Sequence, residues 1–118
     1  MTAQQTVLVV EDDDGLRKIY RRVLEPLNVV MLQAGDAETA LDLLSQYVPD
    51  VMFLDILLPN TNGVAILDYV AGDRRLRNMR VIIVSSNPES EWYTQRLPSA
   101  RFVQKPILPA QIREMILD

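Results

Sequence analysis

The sequence predicts an α/β fold in which a parallel sheet of five strands is covered by helices on both faces. Short runs of branched aliphatic residues alternate along the chain with longer stretches whose apolar residues recur at helical spacing. Most of the short runs are apolar at every position, as expected for strands that are buried on both faces of a parallel sheet. Right-handed crossovers between such strands place helices on both sides, which makes the sheet doubly wound.

Five segments have the composition of strands. Four of them consist almost entirely of valine, isoleucine, leucine, methionine and phenylalanine, whereas the fifth is weaker because it begins at Arg101. The predicted strands are residues 7–10, 29–32, 51–54, 81–84 and 101–103.

An amphipathic helix is predicted between the first two strands. Its apolar residues recur at helical steps and its basic residues fall on the opposite side, so the basic side is interpreted first as a solvated surface. The residues predicted to face the sheet are Leu16, Ile19, Tyr20, Val23 and Leu27, and those of the basic face are Arg17, Lys18, Arg21 and Arg22.

The second and third helices are predicted from their boundaries. Asp36 is suited to the N-cap of the second helix and Pro49 ends it. The third helix follows Gly63 and ends at Gly72. The residues predicted to face the core are Ala37, Ala40, Leu41, Leu44 and Val48 in the second helix, and Val64, Leu67 and Val70 in the third.

The fourth helix is expected to be short or irregular, because Pro88 and Pro98 confine it to little more than two turns. A last helix is predicted near Pro109, since proline suits the first helical position, with Ile112 and Ile116 facing inward.

Composition restricts both the organisation and the chemistry. A chain of 118 residues is predicted to be a single domain, residues 1–118. The absence of cysteine and histidine excludes thiol nucleophiles, imidazole zinc sites, a Ser-His-Asp triad and a phosphohistidine on this chain. A net charge of -4 disfavours direct nucleic-acid binding. Any chemistry therefore uses carboxylates, hydroxyls and lysine.

The first residues, MTAQQTVLVV, are polar before they become apolar, and the apolar run is interrupted by EDDD. Neither a signal peptide nor a membrane span is predicted, so we expect a cytoplasmic protein without membrane association.

Polar residues follow the predicted strands. Glu11 and Asp12 follow the first, Asp55 ends the third, Ser85 ends the fourth and Lys105 follows the fifth. In a parallel sheet these positions meet at one edge, where ligands bind. Three carboxylates repel each other unless a cation compensates them, and hard oxygen ligands favour magnesium. The sequence therefore predicts a magnesium site at this edge.

Four motifs, VLVVEDD, VMFLDILLPNTNG, VIIVSS and FVQKP, occur in this order over nearly the whole chain. In order and spacing they resemble the response-regulator receiver domains of two-component signal transduction, the CheY-like family. One such motif is weak evidence, but four in register are strong. The resemblance implies a flavodoxin-like sheet with the strand order 2-1-3-4-5.

The resemblance also assigns roles. It implies that Asp55 accepts a phosphoryl group, and that Glu11, Asp12, Asp55 and the backbone carbonyl of Leu57 bind Mg2+, for which Mn2+ substitutes. Ser85 matches the hydroxyl and Lys105 the ammonium that contact the phosphoryl oxygens. Phe102 matches the aromatic switch residue, although packing in the core explains it equally well. The peptide bond before Pro106 matches a cis bond of the family.

The partners implied are a sensor histidine kinase or a histidine phosphotransfer protein, and an output domain or protein that is unknown. The basic face of the first helix is then either a solvated surface or a docking face for the kinase. The resemblance leaves a homodimer open. Trp92 and Tyr93 are interpreted as either exposed anchors for a partner or residues packed on the sheet. We expect no enzyme activity beyond self-phosphorylation and self-dephosphorylation.

Two departures from the family leave alternatives open. Asn62 replaces the acidic residue often found before the glycine, and the last helix ends early at Asp118, as in a domain cut from a longer protein or in a short stand-alone one. One rival function, suggested by the unusual fourth helix, is an interaction domain that works unphosphorylated. The intact acidic set and Lys105 argue against it. Another is a magnesium phosphohydrolase, which needs a general acid that Ile56 and Leu57 do not provide.

Overall fold

The computed structural model describes residues 4–58 and 63–117. These residues form a five-stranded sheet, four α-helices and three 3-10 helices. The elements are β1 (Thr6–Val10), α1 (Asp14–Leu24), β2 (Val30–Ala34), α2 (Ala37–Gln46), β3 (Val51–Asp55), α3 (Val64–Ala71), β4 (Arg80–Ser85), β5 (Ala100–Gln104) and α4 (Pro109–Leu117), with 3-10 helices at Glu25–Leu27, Arg74–Leu76 and Pro88–Arg96.

All neighbouring strands are parallel, and their order is β2-β1-β3-β4-β5, which confirms the predicted doubly wound sheet. The register aligns the carboxyl ends of the strands. Val10 pairs with Leu54 on one side of β3, and Asp55 pairs with Val84 on the other. The residues that follow β1, β3, β4 and β5 therefore meet at one edge.

Helices pack on both faces of the sheet because successive side chains of each strand point to opposite sides. Along β1, Leu8 and Val10 join one buried cluster, and Val7 and Val9 join the other. The first cluster includes Ala40, Leu44, Ile66 and Leu67 from α2 and α3, and the second includes Tyr20, Leu24, Ile112 and Ile116 from α1 and α4. The inward orientation predicted for Ile112 and Ile116 is confirmed.

The predicted apolar stripe of the first helix is partly wrong. α1 ends at Leu24 and the chain continues as the 3-10 helix Glu25–Leu27, with Pro26 inside it. Ile19 is 42% exposed, whereas Leu24, which the prediction omitted, is buried. Arg17, predicted to be solvated, is mostly covered.

The second helix is shorter than predicted. α2 begins after Asp36, whose side chain accepts a hydrogen bond from the Thr39 N–H as an N-cap should, but it ends at Gln46 rather than at Pro49. Val48 therefore lies beyond the helix and is 51% exposed, so its predicted place in the core is wrong.

The segment between the two prolines has the short, irregular form that was predicted. It is the nine-residue 3-10 helix Pro88–Arg96, and the side chain of Asn87 caps it by accepting from the Glu89 N–H. Trp92 is 56% exposed, whereas Tyr93 packs against the core, so the two aromatic residues differ in environment. None of the described helices is long and apolar enough to span a membrane.

Candidate functional site

Three carboxylates meet at the carboxyl edge of the sheet. Glu11 follows β1 directly, and its N–H donates to the Ala34 carbonyl at 2.9 Å, while Asp55 is the last residue of β3. Glu11 and Asp55 are buried and Asp12 is exposed. One oxygen of each side chain lies within 4.8 Å of the others, so the predicted acidic cluster forms.

Lys105 follows the edge strand β5, two strands away from β3, and its side chain reaches this cluster. Its backbone N–H donates to the Ser85 carbonyl at 2.9 Å, which fixes the start of the loop after β5. Its Nζ donates to Oε1 of Glu11 at 3.0 Å and to Oδ2 of Asp55 at 3.2 Å. The peptide bond between Lys105 and Pro106 is cis, as the resemblance implied.

Backbone N–H groups hold the second oxygen of each buried carboxylate. The Asp13 N–H donates to Oε2 of Glu11 at 3.1 Å, and the Leu57 N–H donates to Oδ1 of Asp55 at 3.0 Å. Both carboxylates are therefore oriented by hydrogen bonds on two sides. The side chain of Leu57 itself is 52% exposed.

Burial and ion pairing shift the pKa values of two groups of the site, Glu11 and Lys105. Burial raises the pKa of Glu11 to about 7, and the charge of Asp55 acts in the same direction, while hydrogen bonds from the Asp13 N–H and from Lys105 oppose the rise. Burial alone would lower the pKa of Lys105, but its hydrogen bond to Glu11 and the charges of Glu11 and Asp55 outweigh burial and raise this pKa. Without a metal, Lys105 is thus the nearest compensating charge.

Arg17 is a residue of the site that the sequence analysis missed. Its guanidinium donates to the backbone carbonyls of Glu11, at 2.7 Å, and Asp12, at 3.2 Å, and to the carboxylate of Asp14 at 3.1 Å. A long side chain on a helix points toward the helix N-terminus, and α1 begins just after the acidic loop. The position of Arg17 in the first turn of α1 was therefore the signal in the sequence that its side chain could reach the acidic loop.

Ser85 ends β4 and is fully buried. Its Oγ accepts a hydrogen bond from the Asn87 N–H at 3.1 Å and lies 2.9 Å from Oγ of Ser90. In this structure the hydroxyl is therefore bound to the start of the 3-10 helix Pro88–Arg96. Among the described residues, no hydrogen bond joins it to Asp55 or Lys105.

The remaining predicted residues lie as follows. Phe102 pairs with Ile83 in the β4–β5 ladder and is half-buried against the core, which fits either of its two interpretations. Residues 59–62 of the VMFLDILLPNTNG motif, including Asn62, lie outside the described residues, as does Asp118.

The donor set fits a hard divalent cation. Glu11, Asp12 and Asp55 offer only carboxylate oxygens, which Mg2+ and Mn2+ prefer over the nitrogen and sulfur ligands of softer metals. Asp12 is exposed and leaves the cluster open to solvent on its side. A cation bound there would be accessible to water and to a ligand from that side.

The chain is similar to known proteins over most of its length. The model of the response regulator receiver domain matches residues 7–117. A protein-glutamate methylesterase/protein-glutamine glutaminase of Rhizobium etli is 42% identical over 88 residues, which are 73% of this chain and 24% of that protein. The polar-differentiation response regulator DivK of Brucella ovis is 29% identical over 82 residues, 70% of this chain and 67% of the relative. The chain thus spans about a quarter of the methylesterase.

Solved structures share the whole fold at low sequence identity. The chemotaxis response regulator CheY4 of Vibrio cholerae superposes with a TM-score of 0.87 at 18% identity, covering 98% of both chains. The receiver domain of the sensor histidine kinase PA1611 of Pseudomonas aeruginosa, which has a magnesium ion coordinated in its active site cleft, gives 0.84 at 19% identity and covers 97% of this chain and 95% of its own. With the family model matching nearly every residue, the chain belongs to the response regulator receiver domain family of two-component systems.

Proposed function

We propose that this receiver domain accepts a phosphoryl group on Asp55 in a reaction that requires Mg2+, and that the phosphoryl group switches an output surface. The observation that supports it most is the position of Lys105, whose Nζ lies within 3.2 Å of two buried carboxylates, Glu11 and Asp55. This buried charge cluster argues against a phosphorylation-independent interaction domain.

Asp55 is the nucleophile in this proposal. One of its carboxylate oxygens attacks phosphorus, forming an O–P bond, while the P–N bond to a histidine of the donor breaks and the imidazole nitrogen takes the electron pair. The carboxylate has no proton to lose, so the reaction depends on alignment and positive charge more than on a base. The hydrogen bonds from Leu57 and Lys105 hold the Asp55 side chain in one orientation.

Glu11, Asp12 and Asp55 would hold the magnesium, together with the Leu57 carbonyl that the family resemblance assigns, and Mn2+ would substitute. When bound, the cation supplies positive charge to the oxygens of the phosphoryl group. The magnesium in the receiver domain of PA1611 supports this choice of metal.

Lys105 and Ser85 are proposed to contact the phosphoryl oxygens after transfer. Lys105 already lies beside Oδ2 of Asp55 and would form an ion pair with the new group. Ser85 would turn its hydroxyl from the 3-10 helix toward the phosphoryl oxygen, and Phe102 would follow as the switch residue.

The donor is proposed to be a sensor histidine kinase or a histidine phosphotransfer protein, because the chain has no histidine of its own. Residues 1–118 would act as one receiver domain in the cytoplasm, where such donors draw on ATP. Its own chemistry would be limited to self-phosphorylation and self-dephosphorylation, and the output partner is not specified by the site.

Intact-mass spectrometry after incubation with acetyl phosphate tests the proposal. We expect a gain of one phosphoryl group that requires both Mg2+ and Asp55, so that EDTA or the substitution Asp55→Asn abolishes it. Glu114→Gln, on the exposed side of α4, is the control for loss of a carboxylate and should react normally.

Two outcomes contradict the proposal. The absence of any mass gain in the presence of Mg2+ would favour a receiver that works unphosphorylated. Sustained turnover of p-nitrophenyl phosphate that depends on Asp55 would favour the phosphohydrolase instead.

A further inference from the structure

Two buried hydroxyls connect the end of β4 to the 3-10 helix Pro88–Arg96. Oγ of Ser90 lies 2.9 Å from Oγ of Ser85. Ser85 is 0% exposed and Ser90 is 2% exposed, so water does not replace either partner. Nothing in the proposed phosphoryl transfer uses Ser90.

Asn87 makes a second connection between the same two elements. Its N–H donates to the Ser85 hydroxyl at 3.1 Å, and its carbonyl accepts from the Ser90 N–H at 3.0 Å. Asn87 is exposed, so its N–H can exchange the Ser85 hydroxyl for water when Ser85 moves. The buried hydroxyl of Ser90 has no such substitute.

We propose that Ser90 is a positioning residue for Ser85: its hydroxyl holds the Ser85 hydroxyl in the unphosphorylated arrangement and transmits the movement of Ser85 to the 3-10 helix. This inference rests on the proposed phosphorylation of Asp55. If Ser85 leaves and Ser90 stays, a buried hydroxyl loses its partner, which disfavours that arrangement by about 5- to 150-fold. The helix therefore moves with Ser85.

The movement reaches the surface through the aromatic residues of the same helix. Trp92 lies two residues after Ser90, is 56% exposed and contacts the ring of Tyr93, which packs on the core. Arg96 lies 5.9 Å from the Trp92 ring and forms an ion pair with Asp68 of α3 at 2.7 Å. A shift of Ser90 is therefore expected to change the environment of Trp92.

Trp92 is the only tryptophan of the chain, so its fluorescence reports on this helix alone. The probe is beryllium fluoride, a phosphoryl mimic, added in the presence of Mg2+, with Mg2+ alone as the baseline. We expect wild-type fluorescence to change on addition of the probe and the change to be smaller in Ser90→Ala, by about twofold where loss of the contact leaves the two helix positions equally populated. Ser86→Ala removes an exposed serine of the same loop and should respond like wild type.

Mass spectrometry with acetyl phosphate on the same proteins separates the inference from the function on which it rests. We expect Ser90→Ala to gain one phosphoryl group, since the Ser90 hydroxyl is hydrogen-bonded to Ser85 and not to Asp55 or Lys105 in the described structure. Ser90→Thr keeps a hydroxyl and should restore the fluorescence change.

A Ser90→Ala protein that is phosphorylated and responds as strongly as wild type would overturn the inference while leaving the function intact. A wild-type protein that gains no phosphoryl group would overturn both. If Ser90→Ala does not fold, wild-type amide chemical shifts decide: unchanged shifts for residues 89–96 on addition of beryllium fluoride overturn the inference, and changes centred on Ser90 support it.

Discussion

The Nζ of Lys105 lies between Oε1 of Glu11, at 3.0 Å, and Oδ2 of Asp55, at 3.2 Å. One ammonium group thus compensates two buried carboxylates, of which one follows β1 and the other ends β3. The same ammonium is placed to meet the charge of a phosphoryl group on Asp55. Removing it should therefore affect both the reaction and the balance of charge.

Lys105→Met should slow phosphorylation of Asp55 by acetyl phosphate by about 100-fold, because it removes a fixed positive charge beside the transferred group. The rate of mass gain at saturating Mg2+ measures the effect. Lys18→Met is the matched control, since Lys18 is exposed and its 3.6 Å ion pair with Asp14 lies on the surface. Equal rates for the two variants would exclude this role for Lys105.

Without metal, protonation of Glu11 should stabilise the fold at low pH. The pKa of Glu11 is raised by burial from 4.5 to about 7 in the folded protein, so the folded state binds this proton more tightly than the unfolded chain. The contribution is fully present below pH 4.5 and is lost as the pH rises to about 7, with a magnitude on the order of 3 kcal/mol.

Urea unfolding in EDTA at pH 5 and pH 7.5 measures this contribution when wild type is compared with Glu11→Gln, which cannot ionise. The stability of wild type relative to the variant should be lower at pH 7.5 than at pH 5, and carboxylates that do not interact with Glu11 cancel in the comparison. A relative stability that stays constant or increases with pH would show that burial does not raise this pKa.

Gly63→Ala should destabilise the protein by about 1–3 kcal/mol, because a Cβ there would lie 3.1 Å from Cα of Ile56 and 3.3 Å from the carbonyl oxygen of Asp55. The backbone that must shift follows Asp55, the proposed phosphoacceptor, directly. Gly72→Ala places its Cβ no closer than 3.5 Å to any atom and should change the free energy of unfolding by less than about 1 kcal/mol. Similar losses of stability in both variants, measured by urea unfolding, would contradict this account of Gly63.

Arg17→Met should weaken Mg2+ binding by about 10-fold, because the guanidinium fixes the carbonyls of Glu11 and Asp12 and so the loop that presents their carboxylates. Calorimetric titration with Mg2+ measures the affinity. Arg21→Met removes an exposed arginine one turn further along α1 and should bind Mg2+ like wild type. If both variants bind equally well, Arg17 does not position the loop.

The fold and the meeting of Glu11, Asp55 and Lys105 could be predicted because both depend on local patterns. Apolar runs identify buried parallel strands. Parallel strands place their carboxyl ends at one edge of the sheet, and this does not depend on where each helix begins and ends. Four motifs at family spacing then assigned a role to each strand end. The structure adds the hydrogen bonds that orient these groups.

What the sequence did not reveal depends on tertiary contacts. α2 ends three residues before Pro49, which leaves Val48 exposed, and α1 gives way to a 3-10 helix before Leu27. The helical spacing of apolar residues does not show at which residue tertiary packing ends a helix. The hydroxyl of Ser90 lies against that of Ser85 because the 3-10 helix Pro88–Arg96 starts close to the end of β4, and no sequence pattern marks that contact.

The position of the phosphoryl group tests the central claim most directly. Protein treated with acetyl phosphate and Mg2+ can be reduced with borohydride, which converts an aspartyl phosphate to homoserine, and the modified residue can then be located by peptide mass spectrometry. We predict homoserine at position 55 and at no other aspartate, and none when EDTA is present. Homoserine at position 12 or 13 with Asp55 unmodified would contradict the account.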